Sequence, residues 1–254
     1  MKASIYFNYA SRSLFRGGQR TILAIFCVAV GVMALVALQL VGQLINSAFT
    51  SNVRAANGGD IAVSSQTAPF RESDLVFFDQ LKSEQTITAY TPIITANGSL
   101  GATSILQSFS LKVVDPDTFP VVAQPSFKTP TAGTLTTLLT NNQVIVDQAL
   151  LDQYQKKVGD TFAIRVGTGD GGSLTVPITI AGIVNDAGVF AQANDFMLLS
   201  LKDYRAAAHS PLLYTAVDVA TSDQKHTEQA AKAITQRFQV ASVVTADQAL
   251  KNSQ

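Results

Sequence analysis

Cysteine occurs once in the 254 residues, at Cys27, and histidine only twice. A single thiol forms no internal disulfide and no Cys-based zinc site, so an ordinary hydrophobic core must hold whatever folds. His209 and His226 stand far apart without metal-ligand or triad spacing, and read as surface residues. Neither a Gly-x-x-x-x-Gly-Lys-Ser/Thr loop nor a Gly-x-Ser-x-Gly elbow occurs, which removes P-loop ATP hydrolysis and an elbow-type hydrolase. The one glycine-rich loop, 167–172, lies between two predicted strands. A dinucleotide cradle leads from strand into helix, so this loop reads as a hairpin turn. The net charge is zero and no basic cluster follows the N-terminal segment, which argues against nucleic acid. No cofactor or metal site is visible, and an enzyme is not expected.

Acidic residues are also missing before Asp60, whereas Lys2, Arg12, Arg16 and Arg20 all precede a long apolar run. From Ile22 to Leu38 every residue is apolar or glycine. As a helix, residues 20–45 extend about 36 Å, enough to cross a hydrocarbon core of about 30 Å. A transmembrane helix over 21–45 follows. Basic residues beside a span resist translocation, so Arg12, Arg16 and Arg20 set the topology. The leader 1–20 stays in the cytoplasm, where its aromatics and arginines suit the inner membrane–water interface, and the bulk of the chain lies outside. A cleaved signal peptide shares the pattern, but its apolar core is only about 7–15 residues long, and residues 45–49 make a poor cleavage site. Within the span, Ala24, Cys27, Gly31 and Ala34 recur at steps of three and four. This small-residue stripe permits close approach of another helix.

Beyond residue 46 the patterning changes to that of a water-soluble domain. A strand is predicted over 60–65, a helix over 71–82 with Leu75, Phe78 and Leu81 on one face, and strands over 86–95 and 105–114. The spacer 96–101 between those strands carries the Asn-Gly turn signal. A strand over 212–219, a helix from Ser222-Asp223 to 238 and a strand over 239–244 follow, and the whole is read as the β-α-β-β-α-β order of a ferredoxin-like sandwich, with one strand more than that order needs. The intervening 115–211 holds strands over 143–146, 162–166, 174–184 and 196–199 with helices over 148–154 and 201–208. The expected fold is therefore α+β: one transmembrane helix, then a two-lobe extracytoplasmic domain. One lobe, 46–114 with 212–244, is ferredoxin-like, and 115–211 is an inserted, mostly-β lobe. Thr245 and Gln248 have capping-box spacing, so 245–254 is expected to start a helix leading back to the membrane, in a chain cut from a longer one.

Several stretches together resemble the MacB/FtsX-like permeases of ABC transporters. They are Tyr9-Ala10-Ser11-Arg12-Ser13-Leu14-Phe15-Arg16, Arg20-Thr21-Ile22-Leu23 and Val28-Ala29-Val30-Gly31-Val32. Next come Gly58-Gly59-Asp60-Ile61-Ala62-Val63 and Leu111-Lys112-Val113-Val114-Asp115-Pro116-Asp117. Val144-Ile145-Val146-Asp147, Lys157-Val158-Gly159-Asp160-Thr161-Phe162 and Ile180-Ala181-Gly182-Ile183-Val184 complete the set. The resemblance implies a first transmembrane helix and a two-lobe MacB-like periplasmic core domain in a bacterial plasma membrane. It also implies an ABC ATPase subunit as partner, further permease spans or a second permease copy, and surrounding lipid. The function so implied is transmission of ATP-driven motion to an extracytoplasmic partner or substrate. The alternative is a single-span binding or sensor protein, complete in itself.

Overall fold

The computed structural model describes residues 18–65, 67–100, 108–168, 171–191, 195–208 and 211–252. The described residues fall into two compact units, divided between Phe49 and Thr50. Helix α1 (Gly18–Ala56) contains the apolar stretch Leu23–Gly42, whose mean hydropathy is 2.6 and whose residues are all exposed. It is long and apolar enough to cross a membrane. Apolarity all round, without a polar face, suits lipid as the surrounding medium. The helix runs past the expected end near 45 and stops at Gly58, whose φ of +83° only glycine adopts without strain.

The chain continues through β1 (Ile61–Ser64), α2 (Glu72–Ser83), β2 (Ala89–Leu100), β3 (Ser108–Val114) and β4 (Phe127–Thr129). Next are α3 (Leu135–Leu138), β5 (Gln143–Val146), α4 (Gln148–Tyr154), β6 (Thr161–Gly167), β7 (Ser173–Val184) and β8 (Phe196–Ser200). The last elements are α5 (Leu201–Ala207), β9 (Ala216–Ala220), α6 (Gln224–Arg237), β10 (Ser242–Thr245) and α7 (Ala246–Asn252). Strands β10, β1, β9 and β2 lie side by side, all antiparallel, with α2 and α6 as the crossovers. The two helices meet through aromatics. Phe78 stacks on Phe238 at 5.8 Å between ring centres, and Phe70 meets Phe238 edge-on at 5.1 Å.

All ten strands form one continuous sheet, and β2 joins its two parts. Ala89–Ile93 pairs with β9, whereas Gly98–Leu100 pairs with β6 on that same edge, and β3 lines the other edge. From there the pairing runs β2, β3, β8, β5, β7, β6 and back to β2, a closed circuit of six strands. Leu111, Val113, Val144, Val146, Ile164, Val166, Val176, Ile178, Met197 and Leu199 converge in one core cluster with the helix-covered side of the first four strands. A second cluster coats the outer side of β8 and β5, where Phe119, Phe127, Leu135 and Phe190 cover Ile145, Phe196 and Leu198. Each such fully buried side chain contributes roughly 1.5–3 kcal/mol. Strand β8 is buried on both faces, which is why it reads as an unbroken apolar run.

Two expectations change. The spacer 96–101 is not a turn as far as Leu100, because β2 continues through it. Gly98 pairs with Phe109, whose ring lies over the site a Cβ would fill, so this glycine serves packing instead of reversal. The hydrogen bonding also changes character at Ile93, within β2, instead of at 114: β3 pairs with β2 and β8 and has no place beside β9. The capping box at the end does form. Thr245 N donates to Gln248 Oε1 at 3.0 Å, and Gln248 N donates to Thr245 Oγ1 at 3.3 Å.

Candidate functional site

Among the described residues no group of three or more His, Cys, Asp or Glu side chains could hold a metal ion. His226 has a partner unforeseen in the sequence, Asp223, because a helix N-cap reaches residues three positions on. Both Asp223 oxygens lie 2.8 Å from His226 Nδ1, and Ser222 Oγ lies 3.1 Å from that same nitrogen. A triad needs acid and nucleophile on opposite ring nitrogens, so this exposed cluster caps α6 and nothing more. His209 lies outside the described residues. Thr168 to Gly172 join antiparallel β6 and β7, so the glycine-rich loop is a hairpin connection, with 169 and 170 outside the description. A cleft of about 810 Å³ opens beside Ile94, Thr95 and Asn97, where β2 passes from β9 to β6. Arg71 and Glu72 line it, and Glu72 Oε1 lies 2.6 Å from Arg205 Nη2.

The dense polar site is the junction where α1 ends and β1 begins. Arg54, in the last turn of α1, donates from Nη2 to Asp60 Oδ2 at 2.7 Å, and its Nε lies 2.6 Å from Oδ1. The Nε contact is ionic, its angle being poor for a hydrogen bond. Asp60 Oδ2 also accepts the Thr221 amide at 2.7 Å, at the turn from β9 into α6. The Asp60 backbone extends the web: its N–H donates to Val219 at 2.9 Å, and its carbonyl accepts the Ala246 amide at 2.9 Å. Asn57 Nδ2 donates to the carbonyls of Gly59 and Val244 at 3.2 and 3.3 Å. Four segments thus meet around Asp60: the end of α1 and the β9–α6 turn on its carboxylate, the β10–α7 turn on its backbone carbonyl, and the head of β1, to which it leads.

Glycines let the turn seat against the sheet. A Cβ at Gly59 would fall 2.5 Å from the Val219 carbonyl, and one at Gly58 would overlap the Asp218 carboxyl. Asp218 is 6% exposed. Burial pushes its carboxyl up to about 7, against a smaller opposing pull from Lys112. Burial in turn pushes the Lys112 ammonium down, and Asp218 opposes that shift.

Of the residues singled out in the sequence, Arg12 and Arg16 lie outside the described residues, and Arg20 lies in α1. Ala24, Cys27, Gly31 and Ala34 share that helix and are exposed, with open space around the Cβ position of Gly31. Sequence reasoning missed Arg54, Asp218 and Thr221 as a site. The available signal was Asp60, the first acid in the chain, directly after two glycines.

The sequence matches the family described as MacB-like periplasmic core domain over residues 21–237. Among curated proteins none matches. The fold is similar to the periplasmic region of MacB from Actinobacillus actinomycetemcomitans, at 16% identity and a TM-score of 0.51, covering 80% of this chain and 95% of that one. The extracellular domain of the noncanonical ABC-type transporter YknZ from Gram-positive bacteria aligns at 12% identity and a TM-score of 0.49, over 73% of this chain and 99% of that one. With one apolar helix ahead of an α+β domain, and a family match across most of its length, the chain belongs to the MacB-like periplasmic core domain family of ABC transporter permeases.

Proposed function

We propose that this chain is the membrane-anchored, extracytoplasmic part of an ABC permease, and that it relays ATP-driven motion to an extracytoplasmic partner or substrate. In this reading Leu23–Gly42 spans a bacterial plasma membrane, with the basic leader in the cytoplasm and the α+β domain outside. ATP is hydrolysed by a separate ATPase subunit. Other permease spans, or those of a second permease copy, pack on Ala24, Cys27, Gly31 and Ala34, and lipid covers the remaining faces. The observation that carries the reading is the junction, where the last turn of α1 is bonded through Arg54 and Asp60 to β1, β9 and the turn at Thr221. A displacement of that turn meets the charge-assisted bonds from Arg54 to Asp60 and from the Thr221 amide to Asp60, and the backbone bond from Asp60 to Val219.

Isolation of the tagged chain from its native membranes under mild detergent tests this. ATPase activity should co-purify, and should diminish in Gly31→Leu, which fills the small-residue stripe. A chain that isolates without any nucleotide-hydrolysing subunit overturns the reading and leaves the tethered binding protein. Topology is tested separately in intact cells, with Thr175→Cys on exposed β7 in a Cys27→Ala background. An impermeant thiol reagent should label it, and protection contradicts the outside placement.

A further inference from the structure

The connection between α1 and β1 rests on an ionisable group. Asp218 sits on β9 opposite Ala62 of β1 and Thr91 of β2, and its carboxyl occupies the space a side chain at Gly58 would take. That glycine, at φ +83°, closes the helix by donating its N–H to the Ala55 carbonyl, one residue after the Asn57 N–H has donated to the Val53 carbonyl. The charged groups on the surrounding elements leave Asp218 without a salt-bridge partner among the described residues. Lys112 of β3 acts on it only through space. Arg54 of α1 and Asp60 at the head of β1 engage each other. Asp115, after β3, accepts the Asp117 amide at 3.1 Å. Thr91, the β2 residue opposite, has its hydroxyl 2.9 Å from that of Thr118.

We propose that Asp218 is a proton-operated latch on the α1–β1 connection: neutral, its carboxyl lets Gly58 rest against it; ionised, it draws water into the contact and loosens the turn. A buried carboxylate lacking a directly bonded cation is strongly disfavoured, and opening the turn is the nearest way to hydrate it. Burial places the titration at about 7, so the latch changes state near neutrality. The device would regulate how firmly the helix end is held. It goes beyond the relay function and stands or falls without it, because its test involves no ATPase.

The test is amide hydrogen exchange on the full chain in detergent between pH 5 and 8, corrected for the intrinsic pH dependence of exchange. Opening at the Gly58, Asp60 and Thr221 amides should rise about tenfold per pH unit from pH 5 to 7 and then level off. Amides of β8, which open only when the domain unfolds, should stay far better protected than those of the junction at every pH. Asp218→Asn should abolish the pH dependence at the junction. Junction protection that is flat with pH in the unmodified chain, or unchanged pH dependence in Asp218→Asn, overturns the proposal. Should Asp218→Asn fail to fold, Lys112→Gln provides the second arm. It removes the charge that favours the ionised carboxyl and should move the transition to higher pH, whereas an unmoved transition overturns the latch.

Discussion

The six-strand circuit and the four-strand sheet share β2 and yet are built to opposite plans. In the circuit, β5 and β8 have no free edge, and β8 is buried on both faces. In the four-strand sheet, β10 is an edge strand of partly exposed residues, and Asp218 is buried on β9. Packing stabilises the circuit and makes it stiff. At the junction of the four-strand sheet lie hydrogen bonds, the Arg54–Asp60 ion pair and the buried Asp218 carboxyl, which is where the proposed relay and latch act. The contrast teaches where stability is stored and where movement can enter.

The largest expected effect lies in the circuit. Leu199→Ala removes a fully buried side chain from a strand whose neighbours cannot collapse onto it, and should lower unfolding free energy by about 3–5 kcal/mol in denaturant titration. A loss below about 1 kcal/mol would show that the circuit is loosely packed and the contrast misplaced. Asp147→Ala should come next. Its carboxylate accepts the amides of Leu150, Asp195 and Phe196 at 3.3, 2.9 and 3.3 Å, tying the start of α4 to the start of β8. Leaving those donors unmet should cost about 2–3 kcal/mol.

Asp218 sharpens the comparison from the other side. Its folded value of about 7 lies above the ordinary 3.8, so the native state holds the proton more tightly than the unfolded chain does. The stabilisation is complete below about pH 4 and is lost as pH rises to about 7, with a slope of at most about 1.4 kcal/mol per pH unit. Asp218→Asn should remove that slope and exceed the unmodified chain in stability above pH 7. Burial also pushes Asp147 upward, so a smaller slope of the same sign should remain. Arg54→Ala should cost only about 0.5–1 kcal/mol, because the side chain is 40% exposed and water screens the pair. A loss as large as that of Leu199→Ala would place the junction among the stability-bearing parts and erase the distinction.

The elements easiest to read in the sequence are those whose burial follows a simple period. The strand over 174–184, the helix over 71–82 and the capping box at Thr245 all fall within a residue or two of expectation. Asn97-Gly98 misled because a turn signal and a packing glycine have the same residues, and only the partner Phe109 distinguishes them. Strand β4 and helix α3 were invisible for want of length: three and four residues are too few to display a period. The closure of the circuit was hidden because β2 changes partner midway along one edge, and no local pattern encodes a partner. The junction was half legible. Gly58, Gly59 and Asp60 stood out together, but Thr221 and Asp218 reach them from more than 150 positions away in the chain.

The most direct test of the proposed relay is hydrogen exchange in membranes containing the chain and the ATPase subunit proposed for it, read with ATP and with a non-hydrolysable analogue. The amides of Asp60, Thr221 and Ala246 should change protection between the two nucleotide states, β8 amides should not, and Arg54→Ala should abolish the difference. Identical exchange at those three amides in both states would contradict the account.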